Sequence, residues 1–214
     1  MTGLARKAAW LFPVLAGAFV LSLPYSPYPG DFLLKVSPIA CLLAAVIAAG
    51  GQGRQRLIMA ALLFCGLGDV SLELGHFSLG LGAFLVGHLF YLAAFCRQPE
   101  VSAGTAVLLA GLAGYCALLV TFLAPHLGDM APAVFLYMGV IAIMASAAIT
   151  GRQNHPLVAL GALLFVLSDS LIAVNRFVEP IPGARYWIMV LYYAAQYLLT
   201  HDARAGRYSP RGIR

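Results

Sequence analysis

Two carboxyl groups interrupt apolar stretches of this sequence one hundred residues apart. Asp69 follows the run 61–68, and Asp169 follows the similar run 162–168. An ionisable residue within a membrane-spanning segment costs on the order of 2.5–3.5 kcal/mol, so it is a candidate functional residue. Two carboxyl groups in one poorly solvated site can divide acid and base roles, because one can stay protonated while the other is ionised. We therefore predict that Asp69 and Asp169 form an acid/base pair.

Other polar side chains accompany the two aspartates in apolar segments. His88 is a candidate proton relay or water-orienting group, and its alternative role is a hydrogen bond between helices. Glu73 lies four residues after Asp69, so the two share a helix face about 6 Å apart along the axis. The predicted substrate-binding residues are Lys35, Glu73, Tyr91, Tyr137, Asn175, Arg176, Tyr192 and Gln196.

The composition indicates what kind of element must hold these groups. Of the 214 residues, 62% are hydrophobic and 10% are charged, and the mean hydropathy is +0.89. Soluble domains carry about 25% charged residues, so we predict an all-α, polytopic membrane protein with one domain over 1–200 and a basic, disordered cytoplasmic tail over 201–214. Eight apolar stretches have about the length of a membrane span: 8–24, 32–49, 57–75, 79–96, 102–124, 131–150, 157–177 and 185–200.

The distribution of basic residues predicts the orientation. One set of connections holds Arg6, Lys7, Arg54, Arg56, Arg97, Arg152, Arg204, Arg207, Arg211 and Arg214, and the other holds Lys35, Arg176 and Arg185. By the positive-inside rule, both termini are cytoplasmic. The net charge of +5 comes from segment ends and not from one basic face, which argues against nucleic acid as a partner. The Ala-, Arg- and Gly-rich composition favours a bacterial inner membrane, with membrane lipids as the surroundings.

The polar residues share one predicted depth. Counted from the non-cytoplasmic end of each span, Asp69 is about six residues deep, Asp169 about eight and His88 about nine, at a helical rise of about 1.5 Å per residue. Helices that run in opposite directions contribute to this layer. The pattern predicts a polar cavity that opens toward the outer leaflet.

A short internal similarity supports pairing the two aspartates. The segment ALLFCGLGD at 61–69 resembles ALLFVLSD at 162–169 with one gap. This spacing predicts two parallel four-helix halves whose third helices each present an aspartate to a central cavity.

These residues also occur in motifs that resemble a known family, the YhhN-like integral membrane proteins, which include the lysoplasmalogenases. The motifs are Gly68-Asp69 in the third segment, 87–91 (GHLFY) in the fourth, Ser168-Asp169 with 175–177 (NRF) in the seventh and 192–196 (YYAAQ) in the eighth. Lys35 resembles the lysine that begins the family's second helix. In the family a proline commonly follows this lysine directly, whereas here Pro38 stands three residues after it. The resemblance covers residues 35–196.

The resemblance implies hydrolysis of the vinyl-ether bond of a lysophospholipid substrate, a lysoplasmalogen, to a fatty aldehyde and glycerophosphoethanolamine or glycerophosphocholine. Protonation of the β-carbon, water addition and hemiacetal collapse need an acid, a base and an anion, which two aspartates supply without a metal or cofactor. Arg176 and Lys35 are then candidate phosphate ligands. The four cysteines have no metal-ligand spacing.

Two other functional classes fit part of the pattern. The string 66–69 (GLGD) matches the GxGD motif of intramembrane aspartyl proteases, but in those proteases the second aspartate precedes the motif, whereas Asp169 follows it. A proton-coupled transporter or a lipid-binding membrane protein would also use intramembrane Asp, His and Arg. Aldehyde release from an alkenyl lipid, but not from its ester analogue, would distinguish the hydrolase from these classes.

Overall fold

The described part of the chain, residues 3–50 and 52–207 with side chains from residue 10 onward, contains α-helices and no β-strand in the computed structural model. The predicted all-α fold is therefore confirmed at this level. Each of the eight predicted apolar stretches overlaps one long helix, and a short ninth helix follows in the described part of the chain. The helices are α1 Gly3–Ser22, α2 Asp31–Ala48, α3 Arg54–Glu73, α4 Phe77–Phe95, α5 Ala103–Leu123, α6 Ala131–Thr150, α7 Pro156–Phe177, α8 Ala184–Leu199 and α9 His201–Arg204.

Six of these helices, α2 to α7, are long and apolar enough to cross a membrane. The apolar part of α1 within the searched residues, Trp10–Tyr25, is shorter, and α8 has 16 residues. A span needs about 20 residues to cross a hydrocarbon core about 30 Å thick. By length and composition, these six helices are candidate membrane spans, as expected for an integral membrane protein.

The α3–α4 hairpin is closed by a turn of three residues in which Gly75 has a φ of +83°. This left-handed conformation favours glycine because glycine has no Cβ. Further along the pair, a Cβ on Gly68 would lie 2.6 Å from the Phe84 ring, and one on Gly87 would lie 3.2 Å from the Ala61 carbonyl oxygen. Small residues therefore let α3 and α4 pack closely.

The helices alternate in direction, so the bundle has two ends. We call the end where α1, α3, α5 and α7 finish the Glu73 end, and the opposite end the Arg54 end. At the Arg54 end, the Arg54 guanidinium donates to the Ala94 carbonyl at 2.7 Å and to Asn154 Oδ1 at 2.8 Å. These bonds hold the starts of α3 and α7 against the end of α4.

The segment predicted as a disordered tail begins with structure. Within α9, Asp202, Ala203 and Arg204 are buried, and Asp202 Oδ2 accepts a hydrogen bond from the His155 backbone at 2.8 Å. Gln55 donates to the Ala203 carbonyl at 2.8 Å. Residues 201–207 therefore differ from the expectation because their polar groups are satisfied by α3 and α7, and residues 208–214 lie outside the described part.

Candidate active site

An apolar cavity of about 690 Å³, including its open mouth, lies at the Glu73 end among α3, α4, α5, α6 and α7. The lining side chains are mainly Leu, Phe, Val, Ile and Met, and those with oxygen atoms are Tyr137, Asp169 and Ser170. Sequence reasoning predicts a polar cavity here. That prediction is wrong, because most of the polar groups in this layer face other helices and not the open space.

Asp169 is the carboxyl group in the cavity wall. It belongs to α7, and its Oδ2 accepts a short hydrogen bond from the Tyr137 hydroxyl of α6. Ser170, the next residue, donates to the Val166 carbonyl of its own helix at 2.7 Å. Asp169 therefore faces apolar space with one fixed partner, and the structure gives it no ion pair with the described residues. A carboxyl group in this position can reach a bound molecule.

Asp69 lies in a different environment from Asp169. It is 2% exposed, its Oδ2 accepts a hydrogen bond from the Tyr192 hydroxyl at 2.5 Å, and its Oδ1 lies 4.0 Å from Lys35 Nζ. The Phe84 ring lines the cavity and also packs edge-to-face on Tyr192. Asp69 does not line the cavity, which corrects the expectation that both carboxyl groups share one pocket.

Lys35 is the centre of a buried charge network. Its Nζ lies 3.0 Å from Glu73 Oε2 and 4.0 Å from Asp69 Oδ1, and all three side chains are less than 10% exposed. Glu73 also pairs with Arg185 of α8. Lys35 is therefore occupied by two carboxylates, so its predicted role as a phosphate ligand does not fit its position. Glu73 likewise faces cations, not the cavity.

His88 is a buried residue of α4 that contacts Tyr137, the hydrogen-bond partner of Asp169. Its ring is fully buried and packs on Phe165 at 4.6 Å and on Tyr137 at 5.4 Å between ring centroids. Nδ1 lies 2.6 Å from the Phe84 carbonyl oxygen, and Nε2 has no hydrogen-bond partner among the described residues. Since a carbonyl only accepts, Nδ1 carries the proton, which leaves Nε2 as an acceptor.

Tyr91 and Gln196 form a buried polar pair that is connected to Asp69 through Tyr192. The Tyr91 hydroxyl donates to Gln196 Oε1 at 2.5 Å, and Gln196 Nε2 donates to the Tyr192 hydroxyl at 3.3 Å. These bonds link α4 and α8 to Asp69 through Tyr192. Tyr91, Tyr192 and Gln196 therefore orient Asp69, and none of them lines the cavity.

Asn175 and Arg176 lie near the cavity mouth with different surroundings. Asn175 Oδ1 accepts from the Ile181 backbone at 2.9 Å, so its side chain stabilises the loop between α7 and α8. The Arg176 guanidinium lies 3.8 Å from the centroid of the Phe77 ring, and Phe77 itself lines the cavity. Arg176 is exposed.

Sequence reasoning missed part of the network at the Glu73 end. Arg185 donates to Ser26 Oγ at 2.9 Å, and Ser26 in turn donates to Asp31 Oδ2 at 2.9 Å. The Tyr193 hydroxyl donates to the Lys35 carbonyl at 2.8 Å. Arg185 and Asp31 stand at the first turns of α8 and α2, where charges are ordinarily assigned to the membrane surface. Only the pairing of Arg185 with Glu73 distinguishes Arg185 from such a surface charge.

Comparison with known proteins places the chain in a family. The model of the YhhN family matches residues 30–203. The chain belongs to the YhhN family. The match covers α2 to α8 completely and therefore includes every predicted site residue.

Curated relatives of this YhhN-family chain carry one activity in their names. Human lysoplasmalogenase TMEM86A is 35% identical over 207 residues, which cover 88% of this chain and 85% of the human protein. Lysoplasmalogenase TMEM86B of Sus scrofa is 34% identical over 199 residues, covering 89% and 84%. The lysoplasmalogenase of Mycobacterium tuberculosis is 32% identical over 200 residues, covering 87% and 77%. No solved structure matches the chain.

Proposed function

We propose that this protein is a membrane-bound lysoplasmalogenase, which hydrolyses the vinyl-ether bond of a lysophospholipid to a fatty aldehyde and a glycerophospho-alcohol. The observation that carries the proposal is the position of Asp169, a carboxyl group in the wall of an otherwise mainly apolar cavity. Such a cavity suits the apolar chain of a single-chain lipid, and the carboxyl group suits protonation of a vinyl ether. The names of the curated relatives point to the same reaction.

Asp169 is the proposed acid because it faces the cavity. Its proton adds to the β-carbon of the vinyl ether, and the π electrons form the new C–H bond. The α-carbon becomes an oxocarbenium carbon, which the Asp169 carboxylate stabilises. Water then adds to that carbon and gives a proton back to Asp169, and the hemiacetal collapses to the aldehyde and the free alcohol. Tyr137 holds Asp169 in place through its hydrogen bond.

Asp69 and His88 have supporting roles in this proposal. Lys35 compensates the charge of Asp69, so Asp69 serves as the ionised partner and contributes a negative charge behind the cavity wall. His88 has its Nδ1 fixed by the Phe84 carbonyl, and we assign its free Nε2 to orienting the attacking water. Tyr91, Tyr192 and Gln196 position Asp69 through their hydrogen bonds.

The membrane arrangement is part of the proposal. We propose that α1 and α8 also cross the bilayer, giving eight spans with both termini in the cytoplasm of a bacterial cell and the Glu73 end outside. The basic residues at the Arg54 end support this orientation. We also propose a parallel repeat of α1–α4 and α5–α8, in which Asp69 and Asp169 stand on the corresponding helices α3 and α7.

The test measures aldehyde release by the purified full chain in lipid vesicles. We expect aldehyde from a 1-alkenyl lysophospholipid and none from its 1-acyl analogue. Asp169→Asn should lower kcat by about 10²–10⁴-fold because it removes the proton donor, and Asp69→Asn should lower it less. Asp129→Asn, a change to an exposed carboxyl group near the start of α6, is the matched control and should retain activity.

Two outcomes would overturn the proposal. Near-normal turnover in both Asp169→Asn and Asp69→Asn would exclude these residues from the chemistry. If neither lipid is consumed by the wild-type protein and the alkenyl lipid instead accumulates inside the vesicles, the protein is a transporter and not a hydrolase.

A further inference from the structure

Arg176 is a cation at the cavity mouth whose charge is not used inside the protein. Its guanidinium lies over the Phe77 ring at 3.8 Å, and it forms no ion pair with any carboxylate in the described part of the chain. The ring contact fixes the guanidinium plane without neutralising it, because a cation–π contact involves the ring quadrupole. Its hydrogen-bond donors therefore remain available to an anion.

Within the described part of the chain, the other lysine and arginine side chains at the Glu73 end are already paired. Lys35 lies between Glu73 and Asp69, and Arg185 pairs with Glu73 and donates to Ser26. None of the three cations lines the cavity itself, but Arg176 packs on the ring of Phe77, which does. An anionic group that enters with a molecule in the cavity would therefore meet Arg176 first, beside the lining rings of Phe77 and Phe177.

The separation of Arg176 and Asp169 along α7 can be compared with the separation of the phosphate and the vinyl ether in a lysophospholipid. Both belong to α7, seven residues apart and on the same face, which corresponds to about 10.5 Å along the helix axis. In a lysophospholipid with a vinyl ether at the first glycerol carbon, seven bonds separate the phosphorus atom from the carbon that takes the proton. At about 1.2 Å of extended length per bond, this distance is about 8 Å. The arginine side chain can cover the small difference.

We propose that Arg176, packed on the Phe77 ring, is the phosphate anchor of the cavity. It binds the phosphate of a single-chain phospholipid and thereby fixes how far the lipid enters. The anchor holds the phosphate at the mouth with bidentate hydrogen bonds, and the glycerol then spans the two turns of α7 down to Asp169. This inference rests on the proposed function for the identity of the scissile bond, but binding of the phosphate is independent of catalysis.

The experiment measures binding, not turnover, with the purified full chain in detergent. The probes are a 1-O-alkyl lysophospholipid, which has no vinyl ether to hydrolyse, and 1-O-alkylglycerol, which lacks the phosphate. We expect Arg176→Gln to raise the Kd of the phospholipid tenfold or more and to leave the Kd of the alkylglycerol unchanged. Arg176→Lys should retain part of the affinity, because lysine keeps the charge but not the bidentate geometry.

The matched control is Arg152→Gln, which removes an exposed cation at the Arg54 end that pairs with Glu100. It should not change either Kd. An unchanged phospholipid Kd in Arg176→Gln would overturn the proposal, as would an equal loss for both probes, which would indicate general damage to the cavity. Displacement of the phospholipid by an equal concentration of inorganic phosphate would identify a site for free anions. That result would overturn the proposal that Arg176 positions a phospholipid.

Failure of the proposed function gives a different result. In that case the wild-type protein releases no aldehyde from alkenyl lipid, while the dependence of binding on Arg176 and on the phosphate remains. If the protein is active, the kinetics add a second readout. Arg176→Gln should then raise KM for the alkenyl lysophospholipid with a smaller change in kcat, since the phosphate contact is made before and during the reaction.

Discussion

Lys35 determines how the two central aspartates differ. The side chains of Asp69 and Glu73 are 3% and 8% exposed, and Lys35 Nζ lies within 4.0 Å of each carboxylate. Asp169 has a tyrosine partner and a cavity instead of a cation. Two residues of one type at one depth therefore have different surroundings, and these surroundings are our reason for assigning the acid role to Asp169.

A variant of Lys35 tests this charge balance. Lys35→Met leaves two buried carboxylates with Arg185 as the remaining cation, and removal of one partner from a buried ion pair costs about 3–5 kcal/mol. We expect a clear fall in the thermal unfolding midpoint of the protein in detergent. The double variant Lys35→Met/Glu73→Gln should recover part of the loss because it removes the surplus negative charge.

The double variant also provides the test of coupling. If the stability losses of Lys35→Met and Glu73→Gln simply add in the double variant, then Lys35 and Glu73 do not interact energetically. That result would contradict the network described above.

At the scale of the helices, close packing of α7 against α8 determines where Asp169 lies. A Cβ on Gly161 would lie 2.8 Å from Leu199 N and 3.0 Å from the Ala195 carbonyl oxygen. Both of these atoms belong to the backbone of α8, so they cannot move without moving the helix. The same helix carries Tyr192, the partner of Asp69. The glycine contact thus holds α7, the helix of Asp169, against α8, the helix that supplies the hydrogen-bond partner of Asp69.

Gly161→Ala tests this packing. We expect it to destabilise the protein by about 1–3 kcal/mol, the usual cost of overpacking a well-packed interior, and to lower turnover by displacing α7. Gly139→Ala in α6 is the matched control, because a Cβ there meets nothing within 4 Å. Thermal unfolding of both variants in detergent makes the comparison. Equal midpoints for the two variants would show that the α7–α8 contact tolerates an extra methyl group.

At the scale of the whole molecule, the cavity and the basic residues lie at opposite ends of the bundle. The cavity opens at the Glu73 end, whereas Arg54, Arg97 and Arg152 lie at the Arg54 end. With that basic end in the cytoplasm, the site would take its lipid from the outer half of the bilayer. The orientation of the protein therefore decides which leaflet supplies the substrate.

Thiol labelling tests this orientation. Cys96 is exposed at the Arg54 end, so a variant that keeps Cys96 as its single cysteine should react with a membrane-impermeant maleimide in inside-out vesicles and not in right-side-out vesicles. A second single-cysteine variant, Glu179→Cys in the loop between α7 and α8, should show the reverse pattern. Labelling of Cys96 from the outside would reverse the topology and place the cavity toward the inner leaflet.

The sequence by itself determines the helices and the depth of their polar residues. Long apolar stretches in a membrane must satisfy their backbone hydrogen bonds internally, so they form helices, and a fixed rise converts residue number into depth. For this reason the polar layer that holds Asp69, His88 and Asp169 is predictable from residue counting alone.

Only the tertiary structure decides which way each polar group faces. Helices α4 and α6 carry few polar residues and no distinct polar face, so their sequences contain little information about rotation around the helix axis. That rotation is set by packing between helices, which buries Asp69 beside Lys35, directs Asp169 into the cavity and leaves Arg176 on Phe77 at the mouth. The partners of each charge come from other helices, and no local pattern specifies them.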